Sequence, residues 1–347
     1  MVTINDVARK AGVSIMTVSN AINGRSGKMS RDTLKRVEDA VAALGYQRNS
    51  IAHQLRSGRS KFVGLLVPSI TNPSYAVLAR EVESFLHQRH GLRLIVASTY
   101  RDREIERSFL EDLRAHGVRG CIVISSGRDH KRFDPAVGWG MAIANYDASK
   151  PARGKPTMDY VSVDNARCSL LAVEHLAALG HRTVALVKPS GITASRTAKT
   201  DGFLAAARAR GLEALVLEAE AGSGYADAEL AELGQSLAEA VVASPARPTG
   251  VIAINDMMAF GLIKGLRQRG VRAPQDMSII GMDALPLNDY VEPSLTSVKP
   301  PVREMASLLV DRVVARVEDR TIEPQEFLFE PTLIPGGSVA PPSGGNR

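Results

Sequence analysis

Two cysteines, one tryptophan and 5% aromatic residues are thin provision for a chain of 347 residues. Cys121 and Cys168 are too few for a disulfide framework, so a fold of this length has to rest on packing. Both sit among apolar or small neighbours, which suits a reducing compartment. No apolar run approaches the roughly 18 residues that a membrane helix needs. The opening Met1-Val2-Thr3-Ile4-Asn5-Asp6 has no apolar stretch behind a basic start, so no secretory signal is expected and the chain reads as cytoplasmic. Also missing are a G-x-G-x-x-G loop after a strand, a G-x-x-x-x-G-K-[ST] loop and an H-E-x-x-H helix, and the seven histidines show no metal spacing with the two cysteines. Hence no cofactor, no metal and no catalytic residue is expected. A Ser/His/Asp site assembled only in space leaves no such trace, so an enzyme on a doubly wound fold stays open as an alternative.

Charge is present in both signs but unevenly placed. Residues 1–60 hold ten basic side chains and four acidic ones, a difference equal to the formal net charge of +6 for the whole chain. The rest of the chain is electroneutral. A small cationic head on a neutral body is what a phosphate-binding module looks like, although a solvated basic face fits the charge alone equally well.

Texture changes at Ser57-Gly58-Arg59-Ser60-Lys61. Beyond it, short apolar runs (62–67, 92–97, 120–124, 141–144, 184–187, 215–217, 250–254, 278–281) alternate with amphipathic stretches (75–90, 104–116, 165–180, 200–210, 226–243, 256–269). Continuous apolar strands between helices indicate parallel sheets covered on both faces, and so many units predict two α/β lobes. A last helix is expected near 301–317, and the Pro/Gly-rich end from Pro335 reads as disordered.

The head reads as a helix-turn-helix. Thr3 and Asp6 can form a capping box for a helix ending at Ala11; Gly12 makes the turn; Ser14 caps a second helix reaching about Ile22; a third opens at Ser30 and stops at Gly45. In such a module the second helix enters the major groove. Ile15, Met16 and Thr17 would meet base edges there, with Asn20 one turn on and able to read adenine. Ser14, Thr17, Ser19, Arg25 and Lys28 suit phosphates. Core packing is the alternative role for Ile15 and Met16. Leu55, in the short segment 49–56, suits a wedge into a minor groove, with linker packing as the plainer alternative.

The run Ile4-Asn5-Asp6-Val7-Ala8, then Ala11-Gly12-Val13-Ser14-Ile15-Met16-Thr17-Val18-Ser19-Asn20, strongly resembles the lactose-repressor (LacI/GalR-type) family of bacterial transcription regulators. The likeness continues through Leu44-Gly45-Tyr46, Asn72-Pro73-Ser74-Tyr75, Val163-Asp164-Asn165, Gly180-His181-Arg182, Ile254-Asn255-Asp256, Gly281-Met282-Asp283 and Leu295-Thr296-Ser297-Val298. The resemblance implies an α/β protein with an all-α helix-turn-helix head over 1–48 and a hinge helix and linker over 49–61. Behind them it implies a body like periplasmic binding proteins over 62–334, with two doubly wound parallel-sheet lobes. The N-lobe is expected at about 62–161 plus 290–325 and the C-lobe at about 162–289 plus 326–334, with a disordered tail over 335–347. It also implies a homodimer on double-stranded DNA at a pseudo-palindromic operator, expected to act as a repressor, with Thr3, Asn23, Ile51, Ala52, Leu55 and Arg56 joining the DNA contacts. A small sugar-like effector, acidic if nearby cations take part, is expected between the lobes. No membrane partner is implied.

Carried over motif by motif, the effector residues are Ser69, Tyr75, Tyr225, Asn255 and Asp283; Tyr146 and Asp147, near the end of a strand, are further candidates. Where relatives often have Arg three residues before the Gly-aromatic pair, Gly202-Phe203 is preceded by Lys199, with Arg196 three further back. Lys188, Arg196 and Lys199 together hint at an anionic effector. Carboxylates and amides grip hydroxyls, and an aromatic face packs on ring C–H groups, which is sugar chemistry. Asp283 as a helix cap and Asn255 as a turn residue are the structural alternatives. Asn20 replaces the family's Arg, and no leucine heptads follow, so a dimer is expected rather than a tetramer. A transport binding protein is a further rival that fits the body but not the basic head.

Overall fold

The computed structural model describes residues 2–22, 24–25, 27, 29–46, 60–124, 130–151, 153–191, 193–220 and 227–343. They form two compact units, Met1–Arg59 and Ser60–Arg347. In the first, α1 (Ile4–Ala11), α2 (Ile15–Ile22) and α3 (Arg31–Leu44) pack Val7, Ala8, Ala11, Val18, Val37 and Ala40 into one small core. Their ends are set locally. Ser14 and Ser30 accept from the backbone of Thr17 and Thr33, satisfying helix-start donors. Gly12 closes α1 at φ +64°, where a side chain would be strained.

The second unit carries two six-stranded sheets. The first comes from β1 (Phe62–Val67), β2 (Arg93–Ser98), β3 (Gly120–Ile124), β4 (Ala142–Tyr146), β5 (Asp159–Val163) and β11 (Glu326–Phe329), in the order β11-β5-β4-β3-β1-β2 and wholly parallel. The second comes from β6 (Thr183–Pro189), β7 (Glu213–Ala219), β8 (Gly250–Ala253), β9 (Ser278–Met282), β10 (Thr296–Lys299) and β12 (Thr332–Ile334), in the order β12-β10-β9-β8-β6-β7 with only β12 antiparallel. The covering helices are α4 (Pro73–His90), α5 (Arg103–Ala115), α6 (Asp134–Gly138), α7 (Asn165–Ala178), α8 (Ala194–Ala209), α9 (Asp227–Val242), α10 (Asp256–Gln268) and α11 (Val302–Glu318). Central strands such as β3, β4, β5, β8 and β9 are buried along their whole length, as sheets covered on both faces require.

The chain passes between the sheets after β5, after β10 and between β11 and β12. This corrects the expected lobe limits. Residues 296–299 belong to the second lobe because β10 pairs with β9, and 326–329 belong to the first because β11 pairs with β5. Of the segment expected in the first lobe, helix α11 packs there, against α4 and β3 to β5, and Gln325 bonds to Asp159 and Tyr160 of β5. Arg312 and Arg316 of α11 hold the fully buried Asp159 at 2.8 and 3.1 Å. The expected disordered tail is also corrected over its described part. Ser338 Oγ donates to the Ile279 carbonyl at 2.6 Å, the Ala340 N–H donates to Ser278 Oγ at 3.0 Å, and the Ala340 carbonyl lies 3.1 Å from His181 Nε2. Short polar side chains dock this segment on the second sheet, a device that composition does not reveal.

Candidate functional site

In the head, α2 turns Val18 into the core and leaves Ile15 and Met16 50% and 72% exposed, which excludes core packing for both. Ser14 and Arg25 are exposed as well; Thr17, Ser19 and Asn20 are half-buried. The Ser14 and Thr17 hydroxyls are 2.9 Å apart, and the Asn20 carbonyl accepts from Arg25 N–H at 2.9 Å. Thr3 donates its N–H and hydroxyl to Asp6 at 3.0 and 2.7 Å, which holds the Asp6 carboxyl below its ordinary range. Asn23, Lys28, Ile51, Ala52, Leu55, Arg56 and Tyr225 lie outside the described residues.

In the body, the loops after several strands and the first turns of four helices open on one cleft with a cavity of about 120 Å3. This is where parallel α/β sheets place ligands, because side chains from different strands converge beyond the carboxyl ends of the strands. Tyr75, Asp147, Arg196, Lys199, Asn255 and Asp283 line it; Tyr146, Arg101 and Asn165 do too. Ser69 does not: it is buried, and its hydroxyl pairs with that of Thr71 at 2.8 Å, serving the turn before α4. Lys188 is removed from the basic cluster, because it is buried against Glu218 at 2.7 Å along the β6–β7 edge.

The acidic side of the cleft is built in two layers. Asp147, at φ +57°, accepts from Asn165 Nδ2 at 2.9 Å. Asp283 follows β9, its N–H bonded to the Val298 carbonyl at 3.0 Å. Fully buried Asp256 accepts from Ser297 Oγ at 2.6 Å, Leu285 N–H at 2.8 Å and Asn288 Nδ2 at 2.9 Å. Position 281 has to be glycine for this arrangement, since a Cβ there would run into the Asp256 carboxylate. Burial, and then the neighbouring Asp256 carboxylate, push the Asp283 carboxyl up to about 8 against the pull of Lys199. Burial likewise raises Asp256, opposed by its three hydrogen bonds, and raises the phenols of Tyr75 and Tyr146. Asn255 does act as a cap, its Oδ1 accepting from Met258 N–H at 2.9 Å, yet it still faces the cleft.

The cationic side comes from both lobes. Helix α8 starts at Ala194, earlier than the apolar pattern near 200 indicates, because Thr193 caps it. Arg196 and Lys199 are therefore three apart on one helical face. Arg196 Nη1 donates to the Ser190 carbonyl at 3.0 Å, and Lys199 Nζ reaches the Ile254 carbonyl at 3.4 Å. Arg101, from the loop after β2 at φ +58°, enters from the other lobe. Sequence reasoning missed it, along with Asp256 and the cleft role of Asn165. The last two stood inside quoted motifs, whereas nothing local marked Arg101. Among the described residues no group of His, Cys, Asp and Glu is arranged to hold a metal ion, and no helix is long and apolar enough to cross a membrane.

Comparison with known proteins adds an independent line. Residues 3–49 match the family model for bacterial regulatory proteins of the lacI family, and residues 173–339 match that for a periplasmic binding protein-like domain. The HTH-type transcriptional repressor PurR of Vibrio cholerae is 31% identical, with 98% of each chain covered. A LacI-family transcriptional regulator from Enterococcus faecium, solved with bound ribose, is 27% identical with a TM-score of 0.70, covering 81% of this chain and 99% of that one. A lac repressor dimer bound to operator and an anti-inducer shares the fold at a TM-score of 0.82 and 23% identity, covering 98% and 99%.

Proposed function

We propose a function that starts from one fact: this chain belongs to the lacI family of bacterial regulatory proteins. It is a transcription regulator with a DNA-binding helix-turn-helix head and a periplasmic-binding-protein-like effector body. Family membership, rather than any feature missing from the cleft, sets the enzyme reading aside. In our reading it is a cytoplasmic repressor, working as a homodimer on a pseudo-palindromic operator, whose hold on DNA is set by a small polyhydroxylated ligand.

The observation that carries this reading is the cleft. Asp147, Asn165, Asn255 and Asp283 supply hydroxyl-gripping groups around Tyr75, from loops and helix starts that follow strands of both sheets. A ligand that touches both lobes binds one of their arrangements better than another, and such a difference in affinity is what a two-state switch requires. In the head, Ile15 and Met16 would meet thymine methyls or groove shape, Thr17 and Asn20 base edges, and Ser14, Ser19 and Arg25 phosphates, with Thr3 and Asn23 beside them. Ile51, Ala52, Leu55 and Arg56 would serve the minor groove, Leu55 as the wedge. The Enterococcus regulator's ribose supports a ligand of sugar size.

The test is to select DNA from a random pool with the purified protein and follow binding by fluorescence anisotropy. Saturable, sequence-specific and salt-sensitive binding is expected, and Leu55→Ala should weaken it sharply while leaving ligand binding intact. Binding that shows no sequence preference would reject the reading.

A further inference from the structure

We infer that Ile15 and Met16 read the methyl group at C5 of a pyrimidine and are blind to the group at its 4-position. A 5-methylcytosine is then accepted where they meet thymine, and operator affinity responds to cytosine methylation. The inference rests on the reading of the head as a major-groove reader and goes on to name the chemical feature read.

Exposure carries the argument. Of the eight residues of α2, only Ile15 and Met16 are exposed, and the polar Thr17, Ser19 and Asn20 are half-buried. Thr17 is tied into the helix start: its hydroxyl lies 2.9 Å from that of Ser14, and its N–H donates to Ser14 Oγ at 3.1 Å. At about 100° per residue, Met16 lies nearly opposite the buried Val18, and Ile15 stands beside it at the first position of the helix. The part of α2 that reaches furthest into water is therefore apolar. A duplex is the occupant that its surroundings fit. Residues 1–60 hold the chain's whole net charge of +6, and the exposed Ser14 and Arg25 offer groups suited to phosphates beside the apolar pair.

Chemistry then fixes what such a pair can read. Neither side chain carries a hydrogen-bond donor, and the Met16 thioether is only a weak acceptor. Polar side chains separate thymine from cytosine by the O4 acceptor of one and the N4 donor of the other. Ile15 and Met16 have no group that does so. What they can gain in the major groove is burial of a methyl group at C5. Thymine and 5-methylcytosine carry that methyl in the same place, whereas uracil and cytosine lack it. Thymine O4 and cytosine N4 each lose water against an apolar side chain, so that cost largely cancels between the two methylated bases.

Fluorescence anisotropy of the intact protein at fixed salt decides this, on an operator selected from a random pool. Each thymine of that operator is replaced in turn by uracil. Each T·A pair is also replaced by C·G, with and without a methyl group at C5 of the cytosine. At a thymine in each half-site, uracil should weaken binding about fourfold, the effect of one buried methyl. At the same position 5-methylcytosine should bind as tightly as thymine, and cytosine as weakly as uracil. Ile15→Ala or Met16→Ala should remove most of the difference between thymine and uracil there. Both side chains are exposed, so neither change should unfold the head, which its melting temperature would show. Uracil binding as tightly as thymine at every position, or 5-methylcytosine binding no better than cytosine, would overturn the methyl reading and leave the regulator standing. A pool that yields no preferred sequence would overturn both.

Discussion

The head leaves two apolar candidate contact residues, Ile15 and Met16, in water, whereas the body sets its polar candidates half-buried around a cleft above the fully buried Asp256. Ile15 and Met16 stand out from α2 with only Val18 of that helix buried, and charge is spread over the outside of the head. In the cleft the order is reversed: Asp283 lies half-buried beside the fully buried Asp256, desolvation together with that neighbour pushes its carboxyl up to about 8, and Asp256 and Asp147 are held by hydrogen bonds. An exposed reader reaches a duplex at the cost of little desolvation and is sensitive to salt; a buried clamp discriminates by unpaired polar groups and charge balance. The two kinds of recognition in one chain make separate predictions.

Removing residues 1–59 should have the largest effect on that contrast. Operator affinity is expected to fall by about 10³-fold or more, to the non-specific level, while the remaining unit unfolds at nearly its former temperature. Anisotropy and calorimetry on the truncated and intact proteins measure both. Asp256→Ala should act in the opposite sense, destabilising the body by about 2–4 kcal/mol because three buried donors lose their acceptor. A urea titration would show it as a lower midpoint, with the head retaining its own affinity for phosphates.

Asp283 gives a pH signature. Its folded-state value of about 8 lies above the ordinary 3.8, so between those limits the folded protein holds the proton more tightly than the unfolded chain. That contribution is therefore full below about 4 and is lost as pH rises toward 8. Melting temperatures of the ligand-free protein should decline over that window, and Asp283→Asn should flatten the decline and be the more stable form at pH 9. Smallest are the changes in the head. Arg25→Gln should reduce the slope of log affinity against log salt by about 1. Met16→Ala should leave that slope unchanged and lower specific affinity by about 1 kcal/mol, both read from salt titrations.

The same contrast explains what was legible beforehand. Helices α1 to α3 were bounded from sequence because Thr3, Ser14, Ser30, Gly12 and Gly45 act on their own neighbours. Most strands of the body were equally visible as apolar runs. Four segments were not: Asp159–Val163 and Thr296–Lys299, where Asp159, Ser162, Thr296, Ser297 and Lys299 break the apolar pattern while still pairing in the sheets, and the short Glu326–Phe329 and Thr332–Ile334. Lobe limits depend on which distant strand each segment joins, which no local pattern encodes. In the cleft, Tyr75, Asn255 and Asp283 came through motifs, and Asp147 from its place near the end of a strand. Arg101 is brought in only by folding, and Lys188 is taken away from the cluster by Glu218, its neighbour in register on β7.

The most direct measurement links the two units. Anisotropy of a selected operator would be followed with the intact protein alone and at saturation with a small polyhydroxylated ligand found by thermal shift to bind it. Operator affinity should change by about fivefold or more, with the change abolished in Asp283→Ala while that variant still binds DNA. Superimposable isotherms with and without a ligand known to occupy the cleft would contradict control of the head by the body.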